Sequence, residues 1–129
     1  IIINNNNISD ENIINILKQV GLYDRVKSFE NGIYEKINDN SFSKGEKQLL
    51  AFARAIAKET SIYVFDEPTS NVDVESEIQL KKVIDNLSKD STVIIIAHRP
   101  ATIENVDKVL KVEDGKVVQV KEKVNPIFS

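Results

Sequence analysis

The chain has 129 residues, of which 41% are hydrophobic, and a net charge of −3, which suits one domain or a large part of one with a buried core. The acidic balance argues against a nucleic-acid partner, because duplex-binding proteins usually carry a basic face. No cysteine is present, which excludes a disulfide framework and thiol chemistry, and no apolar run is long enough to span a membrane.

The first third of the sequence predicts helices. Asn4 to Asn7 form a polar run typical of a loop, and Ser9 can cap the helix that follows. Gly21 is a natural stop for this helix, whose apolar residues recur at helical spacing: Ile13, Ile14, Leu17 and Val20. A second short helix and then a loop are expected over Leu22–Phe29 and Glu30–Ser41.

The middle of the chain alternates helices with apolar runs. A long helix begins at Ser43 and has the apolar stripe Leu49, Leu50, Phe52, Ala53, Ile56 and Ala57. Another, which Asp73 can cap, has the stripe Leu80, Val83, Ile84 and Leu87. The unbroken run Ile62–Phe65 predicts a strand buried on both faces, as in a parallel sheet covered by helices, and Thr92–Ala97 predicts a second buried strand.

The end of the chain changes period. A short helix is expected between Ala101 and Val106, after which apolar and polar residues alternate on both sides of Asp114-Gly115. This dipeptide is a strong signal for a two-residue hairpin. Together the elements predict an α/β domain with a mostly parallel sheet, flanking helices and an antiparallel hairpin at one edge.

Two acids, Asp66 and Glu67, directly follow the first predicted strand, and Pro68 then forces a turn. Ligands of open parallel sheets bind beyond the carboxyl ends of the strands. Because successive strand residues point to opposite faces, one acid can hold a metal ion while the other orients a water. An ordinary turn after a core strand is the alternative interpretation.

The start of the long helix, Ser43-Lys44-Gly45-Glu46, also allows two interpretations. Ser43 and Glu46 have the spacing of a capping box, which needs no ligand. Glycine at the second helical position costs about 1 kcal/mol relative to alanine, and it is favoured there if another group must approach the backbone closely. A helix start with free amides, and with Lys44 and Lys47 nearby, is a good phosphate site.

Asp73 and His98 each have a structural explanation as well. Asp73 can simply cap its helix, and a single histidine at a strand end is more often structural than catalytic. The strand before His98 should nevertheless run parallel to the strand before Asp66 and Glu67, so all three side chains are expected at one edge of the sheet. There the histidine could donate a hydrogen bond to a phosphate oxygen.

Four motifs, taken in order, resemble those of the ATP-binding cassette (ABC) ATPases. Ser-Lys-Gly-Glu-Lys-Gln at a helix start is similar to their signature, Asp-Glu-Pro-Thr-Ser to Walker B with its glutamate, Ser-Asn-Val-Asp to the D-loop, and Ala-His-Arg to the switch histidine. The resemblance covers roughly Leu22–Val120. It implies part of the P-loop NTPase fold of these proteins. The stretch after His98 is most similar to the exporter branch, in which the ATPase is fused to a membrane domain.

This resemblance implies a role for each matched residue. Glu67 would be the general base, His98 would contact the γ-phosphate, and Asp66 would hold Mg²⁺. The signature residues would bind an ATP held mainly by a second cassette: Ser43, Lys44, Gly45 and Glu46. Asp73 would lie at the interface with that second cassette.

The same resemblance implies the cofactors and partners. ATP and Mg²⁺ are the expected cofactors. The expected partners are a second nucleotide-binding domain, identical or different, and a transmembrane domain that holds the cassette at the cytoplasmic face of the cell membrane. No nucleic-acid partner is implied.

One motif of these ATPases, the phosphate-cradling loop G-x-x-x-x-G-K-[ST] (Walker A), is not found. The glycines are Gly21, Gly32, Gly45 and Gly115, and no two of them are five positions apart. The chain, which opens without methionine, is therefore expected to be the C-terminal part of a cassette and inactive alone. Residues 1–58 are expected to form a helical subdomain with the signature helix, 59–120 the α/β core and 121–129 a tail.

Two other functions remain open at this point. Head domains of chromosome-maintenance and DNA-repair ATPases carry a similar Ser-x-Gly-Glu-Lys signature and Asp-Glu pair, but they need a long coiled coil, and no sustained heptads appear in this chain. A truncated cassette that serves only as a dimerisation module is the third interpretation, and the retention of both Glu67 and His98 argues against it.

Overall fold

The structure, a computed structural model, describes residues 8–99, 102 and 104–122. These residues fall into two compact units, one ending at Ile96 and the other beginning at Ala97. The predicted loop Asn4–Asn7 and most of the predicted tail lie outside the described residues. So do Ala101 and Ile103, within the stretch predicted to form a short helix.

The first unit begins with two short helices. Helix α1, Asp10–Val20, starts where the Ser9 hydroxyl accepts a hydrogen bond from the backbone N–H of Asn12. It ends at Gly21, whose φ of 79° lies in the left-handed region that favours glycine. Helix α2, Tyr23–Lys27, follows, and a single 3₁₀ turn over Gly32–Tyr34 interrupts the loop after it.

Two longer helices supply most of the remaining core. Helix α3, Lys44–Ile56, and helix α4, Val74–Leu87, turn their predicted apolar stripes inward. The core of buried side chains joins all four helices to the first strand: Leu17, Val20, Leu22, Val26, Phe42, Leu49, Leu50, Phe52, Ala53, Tyr63, Leu80, Val83 and Leu87. The predicted helices of this unit are therefore confirmed.

Strands β1, Ile62–Asp66, and β2, Thr92–Ile96, pair in parallel, with α4 as the connection between them. The register pairs Asp66 with Ile96, so both strands end at the same edge of the sheet. On one face of the sheet, the rings of Phe65 and Phe52 stack with centroids 4.0 Å apart, which fixes β1 against α3. The predicted α/β architecture with parallel strands is confirmed.

The prediction that β1 is buried on both faces is wrong for the described residues. Tyr63 is 7% exposed, but its neighbours Ile62 and Val64 are 58% and 60% exposed. Only one face of the two-stranded sheet is covered by α3 and α4, so every second side chain is left open. An unbroken apolar run indicates that both faces of a strand can be buried. It does not indicate which element covers each face.

The second unit contains a hairpin of strands β3, Lys108–Glu113, and β4, Lys116–Glu122. They pair antiparallel around Asp114 and Gly115, which both have positive φ, at 50° and 73°. Two successive positive φ angles are what a two-residue turn of this kind requires, so the predicted hairpin is confirmed. In the described residues it forms a sheet of its own rather than an edge of the β1–β2 sheet.

Candidate functional site

The start of α3 is closed by a complete capping box. The Ser43 hydroxyl accepts a hydrogen bond from the backbone N–H of Glu46 at 3.1 Å. In return, one carboxylate oxygen of Glu46 accepts from the backbone N–H of Ser43 at 2.8 Å. The structural interpretation of this pair is therefore confirmed, and the box stabilises the helix start by about 1 kcal/mol.

A residue that sequence reasoning missed, Arg25 on α2, also holds this helix start. Its Nε lies 3.3 Å from the second carboxylate oxygen of Glu46, and its guanidinium donates to the Ser41 carbonyl at 2.9 Å. The guanidinium also lies over the Phe29 ring, 4.8 Å from the centroid. Both oxygens of Glu46 thus have partners within the chain. No local sequence pattern predicts this contact, because Arg25 lies 16 residues from Ser41.

Gly45 is buried, and the reason is a close contact with the start of α4. A Cβ at Gly45 would lie 2.6 Å from the Cβ of Ser76 and 2.7 Å from a carboxylate oxygen of Asp73. Real Cβ atoms essentially never come this close to another heavy atom. The close approach that the sequence predicted for this glycine is therefore made, in the described structure, by two residues of the same chain.

Asp73 caps α4 through both of its carboxylate oxygens. One oxygen accepts from the Ser76 hydroxyl at 2.6 Å, and the other accepts from the Ser76 backbone N–H at 3.2 Å. These two hydrogen bonds favour the ionised form and hold the pKa of Asp73 below its ordinary value. Asp73 and Gly45, which the sequence placed in separate motifs, are thus neighbours. Ser76 was missed, although Asp-x-x-Ser at a helix start is a capping spacing.

Asp66 and Glu67 occupy the end of β1, where the chain makes a tight, well-anchored turn. The Glu67 backbone N–H donates to the Ile96 carbonyl at 2.8 Å, which continues the pairing one step beyond the strand. Glu67 has a φ of 45°, in a region that non-glycine residues rarely adopt, and Pro68 and Thr69 after it are buried. Strained backbone of this kind costs about 1–3 kcal/mol and is concentrated at functional sites.

The acids at this turn suit a magnesium ion only in part. Asp66 offers an exposed carboxylate, the hard oxygen donor that Mg²⁺ prefers. Among the residues that the structure describes, no group of three or more His, Cys, Asp or Glu side chains comes together to hold a metal. The described residues therefore fit a magnesium ion that would take a single carboxylate from this part of the chain.

His98 follows β2 by two residues and is exposed, and it is part of the second unit. The parallel pairing that was expected between its strand and β1 is confirmed. The roles assigned to His98 and to the other seven residues of the candidate site remain predictions.

Comparison with known proteins decides the family. The family model described as the RecF/RecN/SMC N terminal domain matches residues 1–120. An ATP-dependent lipid A-core flippase of Francisella novicida is 37% identical over 114 residues, which cover 87% of this chain and 19% of the relative. The lipid A-core flippase of Pectobacterium atrosepticum is 38% identical over 117 residues, covering 89% and 20%. The chain belongs to the ATP-binding cassette ATPases.

A solved structure agrees with this assignment of the ABC fold. The structure of a bacterial Atm1-family ABC exporter with ATP bound has a TM-score of 0.74 and 27% identity, covering 86% of this chain and 20% of that chain. A probable multidrug resistance ABC transporter ATP-binding/permease protein of Bacillus subtilis is 37% identical over 114 residues. The resemblance to exporters seen in the motifs is confirmed, as is the P-loop NTPase-like fold.

This ABC chain spans about a fifth of the length of its relatives, 17% to 20% of those described above. No helix among the described residues has the length and apolar character needed to cross a membrane. The two kinds of match point to different groups of proteins. The family model points to the RecF/RecN/SMC N-terminal domain, and the individual relatives are exporters. The exporter relatives weigh more, because each aligns individually at 37% or 38% identity over most of the chain.

Proposed function

We propose that this chain is the C-terminal part of the nucleotide-binding domain of an exporter-type ABC transporter, and that it takes part in binding and hydrolysing ATP. The observation that carries the proposal is the turn at Asp66 and Glu67. Two acids stand at the carboxyl end of a parallel strand, one of them in a strained conformation, in a chain whose relatives are exporters.

Glu67 is the general base in this proposal. Its backbone N–H is fixed to the Ile96 carbonyl, and the buried Pro68 and Thr69 hold the turn, so its carboxylate is aimed from a rigid support. A base in this position orients the water that attacks the γ-phosphate, and positioning of this kind supplies much of phosphoryl-transfer catalysis. His98, two residues beyond β2, contacts the same phosphate.

Asp66 holds Mg²⁺, which when bound neutralises charge on the phosphate oxygens. The contact would be made through water, because Mg²⁺ usually keeps several of its waters. Asp66 is the last residue of β1, whereas Glu67 lies in the turn with a φ of 45°, and this difference in backbone conformation supports separate tasks for the two acids.

The start of α3, residues 43–46, which we call the signature turn, contacts an ATP that is held mainly by a second nucleotide-binding domain. The first amides of α3 have no intrahelical acceptors and lie at the positive end of the helix dipole. Ser43 and Lys44 are exposed there, whereas Gly45 offers only its backbone and Glu46 has both oxygens paired within the chain. The phosphate contacts therefore come from Ser43, Lys44 and the Gly45 amide, with Glu46 in support.

The partners of the assembled protein are that second domain, identical or different, and a transmembrane domain. Asp73 lies at the interface between the two nucleotide-binding domains, and ATP-driven dimerisation drives export of a substrate. The membrane domain holds this part at the cytoplasmic face of the cell membrane. Without a phosphate-cradling loop, the 129-residue chain hydrolyses ATP only at background rate.

The test is Glu67→Gln in the protein at its natural length. We expect ATP binding to be retained and hydrolysis to fall by about 10²-fold or more, the usual contribution of a general base. Glu59→Gln is the matched control, because Glu59 is also an exposed glutamate with a positive φ, of 50°. Turnover that survives in Glu67→Gln, or falls equally in Glu59→Gln, contradicts the assignment.

The match to the RecF/RecN/SMC N-terminal domain family supports a second candidate, the head of a chromosome-maintenance or DNA-repair ATPase. Such a protein would show ATP turnover that rises when duplex DNA is added. We expect no such rise, in keeping with the net charge of −3. A stimulation that disappears as salt is raised would favour the second candidate over the transporter.

A further inference from the structure

We propose that Ser76 is a positioning residue that ties the start of α3 to the start of α4, so that the signature turn and Asp73 move as one body. The proposal rests on the proposed function for its consequence in catalysis. The physical link itself depends only on the contacts of Gly45, Asp73 and Ser76.

The first half of the link is the hold of Ser76 on Asp73. Ser76 is only 9% exposed, and its hydroxyl and backbone N–H each donate to a different oxygen of the Asp73 carboxylate, at 2.6 and 3.2 Å. A carboxylate whose two oxygens both accept hydrogen bonds from the same residue has little rotational freedom. The orientation of Asp73 therefore follows the position of Ser76.

The second half is the contact of Ser76 with Gly45. The missing side chain of Gly45 leaves a space that the Ser76 side chain fills, because a Cβ there would come within 2.6 Å of the Ser76 Cβ. Ser76 is short, buried and hydrogen-bonded, so it cannot swing aside as a long flexible side chain would. A displacement of Gly45 toward α4 must therefore displace Ser76 or be resisted by it.

Together the two halves form a continuous path from Gly45 through Ser76 to Asp73. Under the proposed function, Gly45 meets the nucleotide of the second domain and Asp73 faces that domain. A nucleotide that stabilises one position of the α3 start then stabilises one orientation of Asp73. The two sites are therefore energetically coupled, because contacts at Gly45 and contacts at Asp73 both act on the position of Ser76.

Ser76→Ala removes the shorter of the two hydrogen bonds to Asp73, leaves the bond from the backbone N–H, and keeps the Cβ that touches Gly45. In the natural-length protein that also carries Glu67→Gln, we expect added ATP and Mg²⁺ to slow amide hydrogen exchange at the starts of both α3 and α4. With Ser76→Ala, the protection at the α3 start should persist and that at the α4 start should be clearly reduced. Protection of both helix starts in Ser76→Ala to the same extent as without it would overturn the proposal.

The kinetic readout separates positioning from general destabilisation. In the otherwise unchanged protein, Ser76→Ala should lower kcat several-fold and leave the affinity for ATP unchanged, because ATP is held mainly elsewhere. Ser88→Ala is the matched control, since Ser88 is an exposed serine at the other end of α4 whose hydroxyl bonds only locally, to the Asp85 carbonyl at 2.8 Å. An equal loss of kcat in Ser88→Ala, or an unchanged kcat in Ser76→Ala, would count against the link.

A double-mutant cycle tests the second half. Gly45→Ala alone should lower turnover by at least about tenfold, because displacements of about 1 Å can cost far more than this. Ser76→Gly removes the Cβ and hydroxyl that the new methyl group meets. Adding Gly45→Ala to Ser76→Gly should therefore cost much less than adding it to the unchanged protein. An equal cost in both backgrounds would show that the Ser76 side chain is not what opposes a methyl group at position 45, and it would overturn the proposal.

The same cycle distinguishes failure of this proposal from failure of the proposed function. If Glu67→Gln leaves turnover intact, the function is wrong, and the cycle is then measured on the midpoint of denaturant unfolding. We expect Gly45→Ala to lower that midpoint strongly in the unchanged protein and weakly in the Ser76→Gly background. Helix propensity alone predicts the opposite sign, since alanine is a better helix former than glycine. A raised midpoint in Gly45→Ala would therefore refute the contact.

Discussion

Glu67 is one of two glutamates at which the local rules of the sequence and the local structure disagree, the other being Glu59. Non-glycine residues rarely adopt a positive φ, yet Glu67 has one of 45°, whereas the positive φ of Asn71, 58°, is common for asparagine. Glu59 has a positive φ of 50° as well, so strain alone does not set Glu67 apart; its place directly after the carboxyl end of β1 is what supports the catalytic role proposed for it.

A glycine at this position separates conformational strain from chemistry. The free energy of unfolding of Glu67→Gly should equal that of Glu67→Gln or exceed it by up to about 1 kcal/mol, because glycine adopts positive φ without a steric cost. Both variants should lose ATP hydrolysis. Denaturant unfolding of the two proteins checks this, and a Glu67→Gly variant clearly less stable than Glu67→Gln would show that a side chain at position 67 stabilises the turn.

Asp73 makes stability depend on pH in a defined direction. Its pKa is lower in the folded protein than in the unfolded chain, chiefly because the Ser76 hydroxyl donates to the carboxylate. The resulting stabilisation is fully present above the ordinary pKa of 3.8 and is lost as the pH falls from there through the lower folded pKa. An NMR titration of the carboxyl carbon should show the pKa of Asp73 rising toward its ordinary value in Ser76→Ala. An unchanged pKa in that variant would contradict the role given to the hydroxyl.

At the scale of elements, the two serine caps offer an internal comparison. Ser43 belongs to a reciprocal capping box that also bonds Arg25, whereas the Ser9 hydroxyl makes one local bond, to the Asn12 amide at 3.2 Å. Ser43→Ala should lower the free energy of unfolding by about 1 kcal/mol. Ser9→Ala should cost less. Equal losses, measured by denaturant unfolding, would mean that the two serine hydroxyls stabilise their helix starts to the same extent.

The elements themselves were predictable from sequence wherever a local signal fixes them. Gly21 ends α1, Ser43 and Asp73 cap α3 and α4, and Asp114-Gly115 turns the hairpin, because each acts through backbone angles or hydrogen bonds within a few residues. The order of the four motifs was also enough to identify the ABC family. These are the features that a single sequence carries in its spacing.

What escaped prediction depends on residues that are distant along the chain. Arg25 reaches Ser41 and Glu46 across a loop, and Ser76 fills the space at Gly45 from another helix. The glycine was recognised as a place of close approach, but the approaching group was expected to be a phosphate. The sequence shows that a glycine leaves the backbone accessible at this position, and only the packing shows which atoms lie against it.

At the scale of the whole first unit, one sheet face is apolar and open. The register of β1 and β2 sets Val64 beside Ile94, and the same alternation brings Ile62 and Ile96 to that face. These four side chains are 58%, 60%, 49% and 47% exposed, in the order Ile62, Val64, Ile94 and Ile96. The opposite face packs its aromatic side chains against α3. A contiguous apolar surface of this kind binds hydrophobic dyes and favours association.

The 129-residue chain should therefore bind 8-anilinonaphthalene-1-sulfonate (ANS) in its folded state. The double substitution Val64→Lys and Ile94→Lys should lower the dye fluorescence by about half or more, because it places charge at the centre of the open face. Ile78→Lys is the matched control, since Ile78 is 52% exposed but lies on α4, away from this face of the sheet. Circular dichroism should show that all variants keep their helices. If the double variant and Ile78→Lys lower the fluorescence equally, the dye does not report the β1–β2 face, and the open face does not behave as one apolar surface.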